Sequence, residues 1–298
     1  MRMVDTPHML FFGFGFCAQA LAPQLAARGW RMSATCRDAE KAARVEAMGI
    51  TPLHLDGAPL TPERLAGVSH ILLSAAPTRE GDPALPLLTP ALEARETALT
   101  WVGYLSTTGV YGDHAGAWID EDTPRGTMGA RGQARVDVEA AWGALAKAQD
   151  LPIHYFRLAG IYGPGRNQLV SMQNGKARRI EKQGQVFSRI HVDDIAQILL
   201  ASIDKPHAGR AYSVCDDAPA PPQDVVAFAA DLLGLEAPPL IAFEAAELSP
   251  MAQSFYADNK RIKNTRLKQE LGVELLYPDY RAGLSALYQE MQAKNSAV

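Results

Sequence analysis

Only three cysteines, Cys17, Cys36 and Cys215, occur in 298 residues, far apart and with no CxxC pair. An odd number at such spacing excludes a disulfide framework and reads as free thiols in a reducing compartment. A surplus of positive charge is also missing. Lys and Arg number 29 against 33 Asp and Glu, for a formal charge of -4 and a pI near 6.0. A nucleic-acid binder needs a basic surplus on at least one face, so no nucleic-acid partner is expected. The apolar run in MRMVDTPHMLFFGFGF is too short for a membrane span and no small-residue cleavage site follows it. The expected location is therefore cytoplasmic, with no membrane partner. Low-complexity tracts and internal repeats are absent. The composition, 47% hydrophobic and 21% charged, is that of an ordinary soluble globular protein.

From Met9 onward, short apolar runs alternate with helical patterns, which is how a parallel sheet with crossover helices reads. Strands are expected near 9–13, 31–36, 51–55, 69–75, 101–106 and 153–158, and the clearest helices at 17–28, 38–48 and 131–149. In the last, Ala134, Val138, Ala141 and Leu145 recur at helical spacing and predict the core face, turning Arg131, Arg135 and Glu139 away from it. After Tyr162 the rhythm breaks at YGPG. RIHVDDIAQILLASI then reads as a strand end entering an amphipathic helix, and helices are expected near 222–234, 259–270 and 279–293. The fold class is α/β: a Rossmann-type doubly wound parallel sheet with a smaller, interleaved C-terminal region. The expected division is 1–165, with 188–216 returning to it, and 166–298 as the substrate-binding region.

LFFGFGFCAQALAPQL places Gly13, Gly15 and Ala18 as G-x-G-x-x-A after an expected strand and at the opening of an expected helix. Gly13 permits a tight turn, Gly15 lets the backbone approach a pyrophosphate, and Ala18 allows close helix packing, with the helix N-terminus favouring negative charge. Gly13, Phe14, Gly15, Phe16, Cys17 and Ala18 are thus candidate cofactor contacts. An acid at the end of the second strand is usual where NAD is preferred. In SATCRDAEK, Arg37 stands there instead, and a guanidinium can grip the extra phosphate of NADP in a bidentate way. NADP is the expected cofactor and NAD the less favoured one; a plain surface arginine is the alternative. Asp38 is expected to cap the next helix. Asp56 and the loop Ala75-Ala76-Pro77 are expected at the carboxyl edge of the sheet, where open α/β folds bind ligands, or else are ordinary loop residues.

LSTTGVYGD, FRLAGIYGPG and RIHVDDIAQ occur in that order, and NTRLKQELG and YPDYRAGL follow near the end. Together these resemble the signatures of the extended short-chain dehydrogenase/reductase family, the NAD-dependent epimerases and dehydratases, over nearly the whole chain. By this resemblance Thr107 matches the family's catalytic Ser or Thr, or is a strand-end Thr bonding backbone. Arg157 and Tyr162 match the stretch framing the nicotinamide end. His191-Val192-Asp193-Asp194 lacks supporting ligands, so no metal is expected there, and the resemblance makes it a structural group capping the next helix.

The family's chemistry depends on Tyr-x-x-x-Lys, and this chain departs from it. Aligned on the family pattern, RGQARVDVE puts Arg131 at the tyrosine and Arg135 at the lysine. Deprotonating an arginine at pH 7 would cost about 9 kcal/mol. General acid–base catalysis contributes only about 3 to 5 kcal/mol. Arg131 can stabilise negative charge but cannot be the general base, whereas Arg135 can supply donors and charge to ribose hydroxyls in the lysine's place. Tyr111, His114 and Tyr162 are the nearest alternative proton carriers.

Arg166, Lys176, Arg178, Arg179, Lys182 and Arg189 face a single acid, Glu181, in their stretch. The resemblance assigns this region to substrate, and the charge suits a phosphorylated or carboxylated ligand, with His114, Tyr162, Arg166, Arg178 and Arg179 as candidate contacts. The expected function is an NADP-dependent oxidoreductase or epimerase acting on an anionic, nucleotide-sugar-like carbonyl or hydroxyl substrate. In it Thr107, Arg131 and Arg135 serve the reaction. The alternative is a non-catalytic NADP(H)-binding sensor. A homodimer through helices like 131–149 is common in the family and open here.

Overall fold

The structure, a computed structural model, describes residues 6–78, 80–94, 99–126 and 129–296, with Arg131 described by its backbone alone. In chain order the strands are β1 (His8–Phe12), β2 (Arg31–Cys36), β3 (Thr51–His54), β4 (His70–Leu73), β5 (Trp101–Thr107), β6 (Trp118–Ile119), β7 (Ile153–Leu158), β8 (Gly160–Tyr162), β9 (Arg179–Glu181), β10 (Arg189–His191), β11 (Ala211–Val214), β12 (Leu240–Ala242) and β13 (Arg261–Ile262). The helices are α1 (Phe16–Ala27), α2 (Ala39–Glu46), α3 (Leu85–Glu93), α4 (Ala130–Gln149), α5 (Gln168–Gln173), α6 (Val192–Asp204), α7 (Pro222–Leu233), α8 (Pro250–Tyr256), α9 (Thr265–Leu271) and α10 (Tyr280–Ser296). None of the described helices is long and apolar enough to cross a membrane. Cys17, Cys36 and Cys215 are buried free thiols.

The chain divides into two units: residues 1–107, 133–157 and 196–212, and residues 108–132, 158–195 and 213–298. The first holds the seven-stranded sheet, apart from the last residues of β7 and β11, in the order β11-β7-β5-β4-β1-β2-β3. β1 pairs in parallel with β2 through Met9 and Met32, and with β4 through Phe12 and Leu73. Chain order therefore reverses between β1 and β4, so the loops after these two strands open at a topological switch point. Met9, Leu10, Phe11 and Phe12 are all buried. A parallel sheet covered on both faces needs such a continuous apolar run rather than alternation.

Helix α1 buries Cys17, Ala18, Leu21, Ala22 and Leu25, one face at helical spacing. Asp38 caps α2, as expected, its carboxylate accepting from the Lys41 N–H. Helix α3 is hidden in the sequence by Pro86 and Pro90. Pro86 falls in the first turn, where a missing N–H costs nothing, and Asp82 accepts from Ala84 N and Leu85 N to start the helix. Helix α4 is rotated from the expected face. Val138, Trp142 and Ala146 are buried, Ala134 and Leu145 only half-buried, and Glu139 turns inward with 2% of its surface exposed.

In the second unit the expected helix at 259–270 is confined to α9. The preceding residues pair instead: β13 runs parallel to β6, and the Asn259 carbonyl accepts from His114 N and Gly116 N. Long-range pairing here overrides a helical pattern. The other short sheets are β10 with β8 and β12 with β9, and α7 packs with α10 and α5 around Leu169, Val225, Ala229, Tyr280 and Leu284.

Gly103 on β5 lies under the Trp101 ring. A Cβ there would fall 2.1 Å from the ring's Cη2 and 2.6 Å from its Cζ2, and Trp101 is fully buried. Gly103→Ala should lower stability by about 1 to 3 kcal/mol, because the rigid indole has no room to retreat. A urea midpoint equal to that of the unaltered protein would refute this packing.

Candidate cofactor and substrate sites

The loop after β1 is built by its neighbours. Gly13 has φ +88°, and a Cβ on it would lie 2.9 Å from Ala75 N and 3.1 Å from Ser74 Oγ. Its N–H donates to Thr35 Oγ1 at 2.8 Å, and its carbonyl accepts from Ser74 Oγ at 2.6 Å. Only glycine combines that dihedral with that proximity. Gly15 is the N-cap of α1, with extended backbone and no capping side chain, and nothing lies within 4 Å of where its Cβ would be. The space before the helix N-terminus is thus open and bordered by a first turn whose N–H groups and dipole favour an anion. This cradle fits the pyrophosphate of a dinucleotide.

Of the other residues in the motif, Ala18 is fully buried. Phe14 is 5% exposed and packs edge-on against Phe11 at 5.3 Å, Cys17 is buried, and Phe16 is half-buried. Arg37 follows β2 and is exposed. The adjacent Asp38 Oδ1 is held by Lys41 N at 2.7 Å. Asp56 is exposed, its Oδ1 accepting from Ala58 N at 3.0 Å. Ala75, Ala76 and Pro77 follow β4, with Ala75 N donating to the Phe12 carbonyl at 3.2 Å. The loops after β1 and β4 are therefore bonded to one another, whereas Arg37 and Asp56 project from the ends of β2 and β3.

Glu139 is the buried charge of this unit. Arg157 on β7 meets it with two bonds, Nε to Oε1 at 3.2 Å and Nη2 to Oε2 at 3.0 Å, and Ser106 Oγ donates to Oε1 at 2.6 Å. The side chains of Arg157 and Glu139 are 7% and 1% exposed. A carboxylate so enclosed is tolerable because three donors replace its water. One turn earlier on α4, Arg135 is half-buried. Its Nη1 donates to the Leu105 carbonyl at 2.7 Å and lies 3.3 Å from Tyr104 Oη. Tyr104 is fully buried, and burial pushes its phenol up to about 12. Thr107 is the last residue of β5 and half-buried. Arg131 lies in the first turn of α4, and its side chain falls outside the described residues.

In the second unit, Tyr111 is 1% exposed with its hydroxyl 3.2 Å from Ser213 Oγ, and half-buried His114 places Nε2 3.1 Å from the Tyr111 carbonyl. Tyr162 is 8% exposed, its ring edge-on to His191 and its hydroxyl 3.4 Å from the Asp279 carbonyl; burial, first of all, raises its pKa. His191 Nδ1 accepts from Asp193 N and so caps α6, while Asp194 accepts from Leu276 N and Tyr277 N, tying down the segment before α10. The capping expected of the HVDD group thus comes from its histidine. Arg166 is exposed on a turn whose backbone pairs with Gly163, Arg178 donates to the Glu247 carbonyl, and Arg179 has its Nε buried without a hydrogen-bond partner.

Sequence reasoning missed Thr35 and Ser74 as supports of Gly13, and it turned Glu139 outward. Both supports belong to other strands, so no local spacing points to them. For Glu139 a signal existed: a buried arginine on β7 requires a buried acid.

A parallel sheet whose switch point carries a glycine cradle at a helix N-terminus defines a Rossmann-type α/β protein. The family model described as NAD dependent epimerase/dehydratase family matches residues 88–215. A functionally unknown conserved protein from Silicibacter pomeroyi DSS is 51% identical, over 96% of this chain and 100% of that one, with a TM-score of 0.89. Protein YeeZ of Escherichia coli strain K12 is 28% identical over 284 residues, 90% of this chain and 95% of that protein. UDP-glucuronic acid 4-epimerase from Bacillus cereus, solved in complex with NAD, shares the fold at 17% identity, covering 98% of both chains with a TM-score of 0.75. Residues 88–215 thus resemble the NAD-dependent epimerase/dehydratase family, on a Rossmann-type fold that the solved epimerase shares.

Replacing Glu139 by Ala would leave the Arg157 guanidinium buried and unpaired, which should lower stability by about 3 to 5 kcal/mol. Ser106→Ala removes only one hydroxyl donor and should cost about 1 to 2 kcal/mol. Equal denaturation midpoints for the two variants would contradict the arrangement.

Proposed function

We propose that this protein is an NADP-dependent oxidoreductase or epimerase of the extended short-chain dehydrogenase/reductase type, acting on an anionic, nucleotide-sugar-like carbonyl or hydroxyl substrate. The observation that carries the reading is the cradle at the β1–α1 turn, with Gly13 pinned by Thr35 and Ser74 and open space before Gly15. Residues Gly13 to Ala18 would hold the pyrophosphate end, Ala75 to Pro77 would border it, and Asp56 would lie further along the sheet edge. The nicotinamide cofactor, when bound, supplies hydride transfer.

Arg37 supports NADP over NAD. It is exposed at the end of β2, whereas the neighbouring acid that could receive ribose hydroxyls is engaged in capping α2. Arg135 is suited to the ribose nearer the nicotinamide. Both of its hydrogen bonds within the described residues leave from Nη1, so Nε and Nη2 can donate to hydroxyls. Thr107, at the end of β5, would orient the reacting oxygen, and Arg131 would stabilise negative charge developing on it.

With no tyrosine at position 131, the proton must travel by another route. Tyr104 and Tyr162 are poor carriers, since burial raises both phenols and keeps them protonated near neutrality. His114, with Tyr162 and Arg166 beside it in the proposed substrate set, is the imidazole on a loop; water is the other carrier. Arg166 would meet the substrate's anionic group, with Arg178 and Arg179 adding to the field of the segment.

The cofactor choice is read by thermal stabilisation. NADP should raise the melting temperature more than NAD, and Arg37→Ala should weaken NADP by about 10- to 100-fold while leaving NAD unchanged. Equal or greater stabilisation by NAD would defeat the Arg37 reading. Activity is read by incubating the protein with NADP or NADPH and a panel of phosphorylated sugars and nucleotide sugars, following product as well as nicotinamide absorbance. Product is followed because an epimerase can regenerate its cofactor with no net absorbance change. Tight cofactor binding with no product across the panel would reject the enzymatic reading.

A further inference from the structure

The helices of the second unit carry a cleft of their own. A cleft of about 440 Å3 is lined by Arg179 of β9, by Asp224, Phe228 and Asp231 of α7, by Leu235 beyond that helix, and by Tyr280 and Arg281 of α10. Asp224, Phe228 and Asp231 recur at i, i+4 and i+7, so they share one face of α7. The volume is in the range of small-molecule sites.

The charges in this cleft are arranged for something other than each other. Two guanidinium groups and two carboxylates line it, and among the described residues none of the four side chains forms an ion pair or an ordinary hydrogen bond. Arg281 holds its Cζ 4.6 Å from the Tyr280 ring centroid and 5.9 Å from that of Phe228. Cation–π contact leaves the N–H groups to donate. The Arg179 Nε–H is more telling, because it is buried and has no partner. A buried donor without an acceptor costs free energy.

We infer that this cleft binds a small zwitterion with an apolar body, an α-amino acid with an aliphatic side chain being the simplest member. An anion alone would meet two carboxylates, and a cation alone would meet two guanidinium groups. A ligand carrying both charges satisfies both sets, its carboxylate on Arg179 and Arg281 and its ammonium on Asp224 and Asp231. The aliphatic part then covers Phe228 and Leu235, the latter 49% exposed. Nothing in this assignment depends on the cofactor or on turnover.

The test titrates the full-length protein with L-leucine, followed by ligand-observed NMR saturation transfer and calorimetry. 4-Methylpentanoate and 3-methylbutylamine serve as probes carrying one charge each. L-Leucine should bind saturably, and each half-probe should bind at least about tenfold more weakly, because each loses a charged contact. Arg179→Lys and Asp231→Asn should each weaken L-leucine by about tenfold. Asp231 is exposed on a helix surface, so its substitution does not threaten folding. Failure of L-leucine to saturate, half-probes equal to it, or unchanged affinity in both variants would each overturn the inference. NADP stabilisation is measured in parallel and should be unaltered in Asp231→Asn, so failure here and failure of the cofactor reading are told apart.

Discussion

The carboxylate of Glu139 lies inside the protein with almost no access to water, held by Arg157 and Ser106. Burying that charge is favourable only when its partners are already in place, so α4 can dock on β5 and β7 in one rotation and one register. That constraint reaches the proposed chemistry. Arg135 is one turn away on the same helix, and its bond to the Leu105 carbonyl follows from the same docking. The placement of the Arg135 guanidinium is thus set by the ion pair one turn further along the helix.

The glycine cradle has a similar logic on a smaller scale. β1 is central in the sheet, so the turn that leaves it is flanked by β2 and β4, and residues of both reach it: Thr35 from one side and Ser74 from the other. Gly13 is squeezed and bonded, whereas Gly15 faces open space. The two glycines of one motif therefore differ, one fitted against its neighbours and the other leaving open space. Arg37 follows the neighbouring strand and is exposed, beside Asp38, which caps α2.

Much of this was legible in the residues. The strand runs at 31–36 and 153–158 have those bounds, and the other expected strands of the sheet and helices α1 and α4 are displaced by only one or two residues at their ends. Continuous apolar runs and G-x-G-x-x-A are strong local signals. Less was legible where the deciding partner is distant. The helical pattern at 259–270 gives way to strand pairing because backbone groups near Trp118 need partners. Helix α3 is hidden because its prolines count against it unless Asp82 is known to cap it.

The sequence by itself determined the alternation of strands and helices, the glycine turn and the arginines at 131 and 135, since each is written in neighbouring residues as periodicity, backbone freedom or side-chain type. The tertiary structure alone decided which face of α4 is buried, what pins Gly13, that HVDD ties α10 to α6 as well as capping a helix, and which charged residues share a cleft with Phe228 and Tyr280. Each of these is a contact between residues far apart in the chain. Such contacts depend on the desolvation and pairing of groups whose partners no local pattern names.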